Sequence, residues 1–311
     1  MRFVTYNIHY AIGWDGVEDI ARIAEAVRGA DAIVLQEVER YYGPGNPADQ
    51  PAALAELLPE YYWVYGPAFD VDASTRDPDG RVVNRRRQHG VMILSKTPIV
   101  SCRPLVLPKW TYDDKYNMRV GALEAVIDGD LGPLRLYGLH LGHLESAERQ
   151  AQIEALLAVV RAAPAEGGAW TGPGAQSNRD WGAGQPAPPM PDNALLLGDF
   201  NMGPEAPEYA QLIAGGKAAQ ATAGGPETLG GADPAFVDAW LAAGRGAEPG
   251  HSFITPPERA PERAPEPTEQ ADHRIDYCFV SPALAPKIRA CHVDLAPKGS
   301  DHQPVWTEIA A

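Results

Sequence analysis

A chain of 311 residues with 45% hydrophobic and 22% charged content describes an ordinary soluble globular protein able to bury a large core. Its 26 basic and 41 acidic residues give a formal charge of -15, which argues mildly against tight non-specific binding to nucleic acid but leaves a local basic patch open. No run approaches the roughly 20 apolar residues of a membrane span.

Arg2 to Tyr6 reads as a first strand ending in Asn7-Ile8-His9, with no charged leader before it, so the cytoplasm is the expected location. Asp15-Gly16-Val17-Glu18 has capping-box character, and Ile20, Ile23, Ala24 and Val27 follow at helical spacing. Residues 32–35 form the next strand and end in Gln36-Glu37, so two successive strands deliver Asn7 and Glu37 at their C-terminal ends, where ligand sites of α/β sheets collect. A short helix is expected over 52–58, a strand over 61–65 and a polar loop over 66–81. Arg85-Arg86-Arg87, the only dense basic run, reads as a solvated face or, beside the strand at 91–94, as a phosphate clamp.

Strands are expected near 99–107, 120–127 and 134–139, with Arg119 opening the second and His140 closing the third. A helix over 147–162 has a cap at Ser146, and Arg149 and Gln152 on one face are expected to pin it to neighbouring loops. Residues 164–193, rich in Gly and Pro yet carrying Trp170 and Trp181, read equally as a lid or as a surface excursion. The apolar run Leu195-Leu196-Leu197 is a buried strand broken at Gly198, so that Asp199 and Asn201, two residues apart, address one side. Residues 255–271 contain the charged, proline-rich repeat Glu-Arg-Ala-Pro and read as a second long loop. Strands then resume over 275–280, 288–293 and 305–309, with Asp276 in the first and Ser300-Asp301-His302 before the last. The three cysteines, Cys102, Cys278 and Cys291, lack metal-ligand spacing and lie in or beside apolar runs, which predicts buried free thiols in a reducing compartment. No central linker divides the pattern, so one domain over 1–311 is expected, with long loops at about 164–193 and 255–271.

Acidic and amide groups thus recur at strand ends: Asn7, Glu37, Asp199, Asn201, Asp276 and Asp301, with His140 and His302 beside them. Oxygen-rich ligation suits a hard cation such as Mg2+ or Mn2+, whereas zinc would bring more His or Cys. Such a cation beside an imidazole and a carboxylate base implies hydrolysis of a phosphate ester.

The chain resembles the endonuclease/exonuclease/phosphatase family, whose fold is deoxyribonuclease-I-like. The resemblance rests on Thr5-Tyr6-Asn7-Ile8, Leu35-Gln36-Glu37-Val38, residues 90–95, Leu139-His140-Leu141, Gly198-Asp199-Phe200-Asn201, Arg274-Ile275-Asp276-Tyr277 and Ser300-Asp301-His302-Gln303-Pro304, in the family's order. It implies an α/β (α+β) fold: a four-layer sandwich of two mixed β-sheets packed face to face, with helices on both outer faces and the site at one end. It further implies Glu37 as principal metal ligand with Asn7 and Asp301 assisting, and Asp199 as the carboxylate that orients or deprotonates water. Asn201 would hold that water or a phosphate oxygen. His302, oriented by Asp276, would contact the phosphate; His140 would be a leaving-group acid or phosphate donor, and Arg119 a weaker phosphate contact. The pattern is most similar to the bacterial metal-dependent hydrolases of the family, and the two long loops are where this chain departs from it.

The expected activity is a Mg2+-dependent phosphodiesterase acting on a small or lipid-derived phosphate ester, with no obligate protein partner. The competing expectation is a metal-dependent nuclease acting on DNA or RNA, including the abasic-site type. For it, Arg85 to Arg87 are the only basic cluster, and the basic surface of abasic-site endonucleases has no clear equivalent here. A catalytically silent binding protein on the same scaffold is a third reading, opposed by the complete set of expected residues.

Overall fold

The alternation of side chains along a strand sorts this sequence into layers. In the computed structural model, which describes residues 1–42, 48–172, 181–214, 235–255 and 272–311, the chain begins with β1 (Arg2–Asn7), α1 (Ile20–Val27), β2 (Ala32–Arg40) and α2 (Gln50–Leu57). Then come β3 (Tyr62–Asp72), the short β4 (Thr75–Arg76) and β5 (Val82–Val83), β6 (Arg86–Ser95), β7 (Ile99–Val106), β8 (Gly121–Gly129) and β9 (Gly132–His140). The chain continues through α3 (Ser146–Glu166), β10 (Ala194–Asp199), α4 (Pro207–Ala214), β11 (Val237–Asp238) and α5 (Ala239–Ala242). It ends with β12 (Asp276–Val280), β13 (Ile288–Val293) and β14 (Val305–Ile309).

Two six-stranded sheets result, in the orders β13-β14-β1-β2-β6-β3 and β11-β12-β10-β9-β8-β7. Each contains one parallel pair, β1 with β2 and β9 with β10, joined by crossovers that contain α1 and α3. Phe3, Val34, Val91, Ile93, Leu123, Leu136, Leu195 and Leu197 point between the sheets and form the central core. Their alternate neighbours point outward: Tyr6, Ile33 and Leu35 with Ile23 and Leu54 of α1 and α2, and Tyr137, Leu139 and Leu196 with Ile153, Leu156 and Leu212 of α3 and α4. The four-layer α/β sandwich expected from the sequence is therefore the fold. The sheets approach closely at Gly138, where a Cβ would sit 2.7 Å from Val34 and 2.8 Å from Val91.

Several local expectations are corrected. Helix α1 is capped by Asp19, whose carboxylate accepts from the backbone of Ala21 and Arg22, and not by the Asp15 turn. Asp15 is held outside the helix, accepting from Val17 N and pairing with Arg22. The polar stretch 66–81 is strand in its first part, and the expected loop is confined to residues 73–74 and the turn at 77–81. Strand β3 continues to Asp72 against Arg86 of β6, forming a two-stranded arm that carries the cross-strand ion pair Asp70–Arg86 at 2.7 Å.

Helix α3 runs four residues past its expected end, through Pro164. Proline cannot donate to the carbonyl of Val160, and the buried Arg135 guanidinium takes that carbonyl instead, at 2.8 Å. Its first turn is not capped by Ser146, whose hydroxyl donates to Glu208. Arg149 and Gln152 do pin the helix, to Glu208 and Gly142 and to Gly142 and Pro108 respectively. Cys278 and Cys291 are buried free thiols, but Cys102 is exposed, because β7 is an edge strand whose side chains alternate between the sheet face and solvent.

Candidate active site

The site residues are the polar continuations of inward-facing rows. Asn7 follows Phe3 and Thr5 on β1, His140 follows Leu134, Leu136 and Gly138 on β9, and Asp199 follows Leu195 and Leu197 on β10. Asp276 precedes Cys278 and Val280 on β12, which runs antiparallel to β10, so Asp276 lies opposite Asp199 in the register. Apart from Thr5 on β1, each row is apolar between the sheets and becomes polar at the strand end that carries the site residue. Glu37 is the exception to alternation, since after the inward Gln36 it should face out. A break in the pairing between Leu35 and Val38 and a left-handed φ of 60° at Glu37 turn it back.

The strands approach closely here. A Cβ on Gly198 would lie 1.9 Å from the carbonyl oxygen of Leu139, so only glycine lets β10 carry Asp199 alongside His140. The loop before β14 is tied to β1, with Ser300 Oγ donating to Asn7 O at 2.8 Å and accepting from His302 N at 3.1 Å.

Asn7 links the two halves of the cluster: Nδ2 donates to Glu37 Oε1 and to Asp199 Oδ2, each at 3.0 Å, while Oδ1 accepts from His9 N. Asp199 Oδ2 also lies 3.6 Å from His140 Nε2 and 3.8 Å from His302 Nε2. His302 Nδ1 meets Asp276 Oδ2 at 2.8 Å, and Ser252 Oγ donates to the same oxygen at 2.7 Å.

Electrostatics separate these groups. Burial and the charge of Asp276 push the Asp199 carboxyl upward, opposed by His302, Asn7 and the backbone of Asn201. Burial would discharge His302, but Asp276, by charge and hydrogen bond, and Asp199 outweigh it and raise the imidazole to about 10. His140 has no comparable partner, and burial lowers it to about 4 against the pull of Glu37. Burial works against ionisation of Glu37, yet the neighbouring imidazoles and the Asn7 hydrogen bond hold its carboxyl below the usual range. Near neutral pH the two histidines facing Asp199 therefore differ, His302 being charged and His140 neutral.

A model of the Endonuclease/Exonuclease/phosphatase family matches residues 4–302. The chain belongs to that family. Phosphoester hydrolysis is the chemistry of the family. No curated protein matches the sequence. Among solved structures, an endonuclease/exonuclease/phosphatase from Beutenbergia cavernae is 24% identical, with 99% of this chain and 70% of that chain covered at a TM-score of 0.64. Truncated TDP2 of Caenorhabditis elegans is 18% identical over 100% of this chain and 97% of its own, at a TM-score of 0.56. The mannosyl-6-phosphatase of Bacteroides thetaiotaomicron is 16% identical with both chains covered 100%, at a TM-score of 0.57. These likenesses establish the fold.

Three further expected residues lie outside the contacts of Asp199 Oδ2. Asn201 leaves the strand with a φ of 50°, so alternation does not carry it to the side of Asp199. Its Nδ2 donates to Leu141 O and its backbone N to Asp199 Oδ1, which makes it a brace for the turn. Asp301 faces His9, 3.7 Å from its Nδ1. Arg119 is exposed beyond the end of the sheet at which His140 sits, with no ion pair among the described residues.

Two contributors were missed by sequence reasoning. Ser252 binds Asp276 from a loop with no motif. His89 is 2% exposed and groups with Glu37 and His140. It shares the inward parity of Val91 and Ile93 on β6, and that signal was available. Tyr10 and Tyr42 flank it, with ring centroids 5.7 and 6.4 Å away.

The long loops also separate. The described part of the first leaves the C-terminus of α3 and returns at Ala194, the end of β10 remote from Asp199, where Asn193 O accepts from Arg135 N. With Trp181 86% exposed, the described residues support a surface excursion and not a lid. The second loop is rooted beside the site, since Phe253 pairs with both His273 and His302. Its Glu-Arg-Ala-Pro repeat lies outside the described residues. No described helix is long and apolar enough to cross a membrane.

Proposed function

We propose that the protein is a divalent-metal-dependent phosphodiesterase that acts on a small or lipid-derived phosphate ester by water attack on phosphorus. The observation that carries this reading is the convergence of Asn7, His140 and His302 within 3.0–3.8 Å of one buried carboxylate oxygen, Asp199 Oδ2. An upward-shifted carboxyl beside a charged and a neutral imidazole supplies a base, a cation and a neutral N–H donor in one pocket.

The residues fit a hard cation. Glu37 Oε2 is buried without a hydrogen-bond partner, and a carboxylate oxygen is the donor such an ion prefers. Glu37 would hold the Mg2+ or Mn2+ with Asp301 assisting, and the ion would neutralise charge on the phosphate. Asn7 turns its nitrogen to Glu37, which supports a bridging role for it over direct ligation through Oδ1.

The chain's own groups do the rest. Asp199 accepts the proton of the attacking water. His302, kept charged by Asp276 and Ser252, offsets the negative charge that grows on the phosphoryl oxygens. His140 is neutral near pH 7, which favours its role as an N–H donor to the phosphate over that of a leaving-group acid.

The test is a metal-supplemented screen of phosphomonoesters, phosphodiesters, lipids and nucleic acids, with EDTA controls. Turnover of a small diester that EDTA abolishes supports the reading, and EDTA-insensitive turnover contradicts it. The nuclease reading draws on the basic arm at Arg85–Arg87. It is weakened because Arg86 is paired with Asp70 and Arg85 lies over the Tyr41 ring, 5.3 Å from its centroid. Metal-dependent plasmid nicking that collapses at moderate salt would favour it.

A further inference from the structure

Glu37, His89 and His140 each offer a ligand atom, and these atoms lie within 4.8 Å of one another. They come from β2, β6 and β9, three strands of two packed sheets, so the spacing is set by the core. Each carries a buried polar atom that no hydrogen bond satisfies: Oε2 of Glu37, Nε2 of His89 and Nδ1 of His140. Buried polar atoms are almost always paired, and an orphan in each member of one cluster points to something that binds there. His89 has no part in the proposed hydrolysis, and a histidine that is 2% exposed between aromatic rings needs a reason for its polarity.

A second cluster of the same spacing, Asp199, Asp276 and His302, is a poorer receptor because its atoms are largely engaged. His302 Nδ1 is bonded to Asp276 Oδ2, which also accepts from Ser252, and both oxygens of Asp199 accept hydrogen bonds, leaving Asp276 Oδ1 unpaired.

We propose that Glu37, His89 and His140 form a three-ligand site for a transition-metal dication of the zinc class. Two imidazoles with one carboxylate suit zinc, cobalt or nickel, whereas magnesium takes oxygen donors and neglects imidazole. Three protein ligands leave a position open. The proposal rests on the reading of Glu37 as a metal ligand and extends it. Because zinc at this site takes up Glu37, it excludes magnesium from that carboxylate. Zinc therefore inhibits magnesium-supported turnover.

The experiment uses the untagged full chain, stripped of metal and dialysed against limiting zinc in excess magnesium. One zinc retained per chain is expected, and failure to retain zinc against magnesium overturns the site. X-ray absorption of the zinc-loaded wild-type protein counts imidazole ligands without any substitution. Two are expected, and one or none overturns the proposal, one being what the Asp199 cluster would give.

His89→Gln should weaken zinc retention about tenfold or more and bleach the visible ligand-field absorption of the cobalt form. His292→Gln, at an exposed position on β13, should change neither. Wild-type zinc affinity in His89→Gln overturns the assignment. A wild-type protein that retains no zinc yet hydrolyses with magnesium refutes this site alone. Zinc held by two imidazoles in a protein without any magnesium-dependent hydrolysis refutes the hydrolase reading and leaves the site standing.

Discussion

Asp276→Asn removes the charge that keeps His302 protonated while preserving the volume of the side chain. The two groups meet at 2.8 Å, and both are buried, at 2% and 6% exposure. The imidazole is raised from 6.5 to about 10, which at about 1.4 kcal/mol per pH unit is up to about 5 kcal/mol of interaction with the charged form. A raised pKa in the folded protein stabilises fully below the unfolded value of 6.5, and the contribution is lost as pH rises through about 10.

Wild-type stability should therefore fall over that window, and Asp276→Asn should flatten the fall. With the carboxylate gone, burial is opposed only by Asp199 and Asp301, and the imidazole discharges at lower pH than in the wild type. If the charged imidazole stabilises the transition state, kcat near pH 8 falls about 10²–10³-fold. The alkaline limb of the pH–rate profile moves down by the same displacement. The assays are urea denaturation from pH 6 to 10, NMR titration of the His302 ring, and kcat against pH on bis-p-nitrophenyl phosphate. An unmoved His302 titration together with a wild-type profile would refute the reasoning.

Asn7→Ala takes the shared donor away from Glu37 and Asp199; a loss of about 1–3 kcal/mol in urea denaturation of the metal-free protein is expected. Gly198→Ala forces its Cβ onto the Leu139 carbonyl, and a destabilisation of about 1–3 kcal/mol, with reduced activity from displacement of Asp199, should appear in the same measurement. Trp181→Ala should leave kcat and KM on small diesters unchanged, because that residue is exposed and its loop returns at the far end of β10; a raised KM would restore the lid.

The layers and most of the site were legible because one rule, alternation, governs both. The same parity that buries Leu195 and Leu197 between the sheets aims Asp199 into the pocket. Legibility ended where alternation is broken or where a distant residue decides. Glu37 was visible from its motif, but it is turned inward by a bulge that no local pattern announces. Alternation stops being a guide past Gly198, because the backbone at Asn201 is left-handed, with a φ of 50°. His89 was passed over because Gln88-His89 ends an apolar run in polar residues, which read as a boundary although the strand continues. The outer half of β3 does alternate, Phe69 and Val71 against Asp70 and Asp72, but Gly66-Pro67 before it reads as a turn. Helix α3 outruns its expected end because Arg135, far off in sequence, takes the carbonyl that Pro164 leaves free.

In the proposed reaction Asp199 is the base of a metal-dependent phosphoester hydrolase. The most direct measurement is kcat on bis-p-nitrophenyl phosphate for wild type and Asp199→Asn, each stripped with EDTA and then restored with Mg2+. Turnover is expected only after Mg2+ is restored, with Asp199→Asn lower than wild type by about 10²–10⁴-fold. Turnover that survives EDTA, or an Asp199→Asn enzyme as active as wild type after Mg2+ is restored, would contradict this expectation.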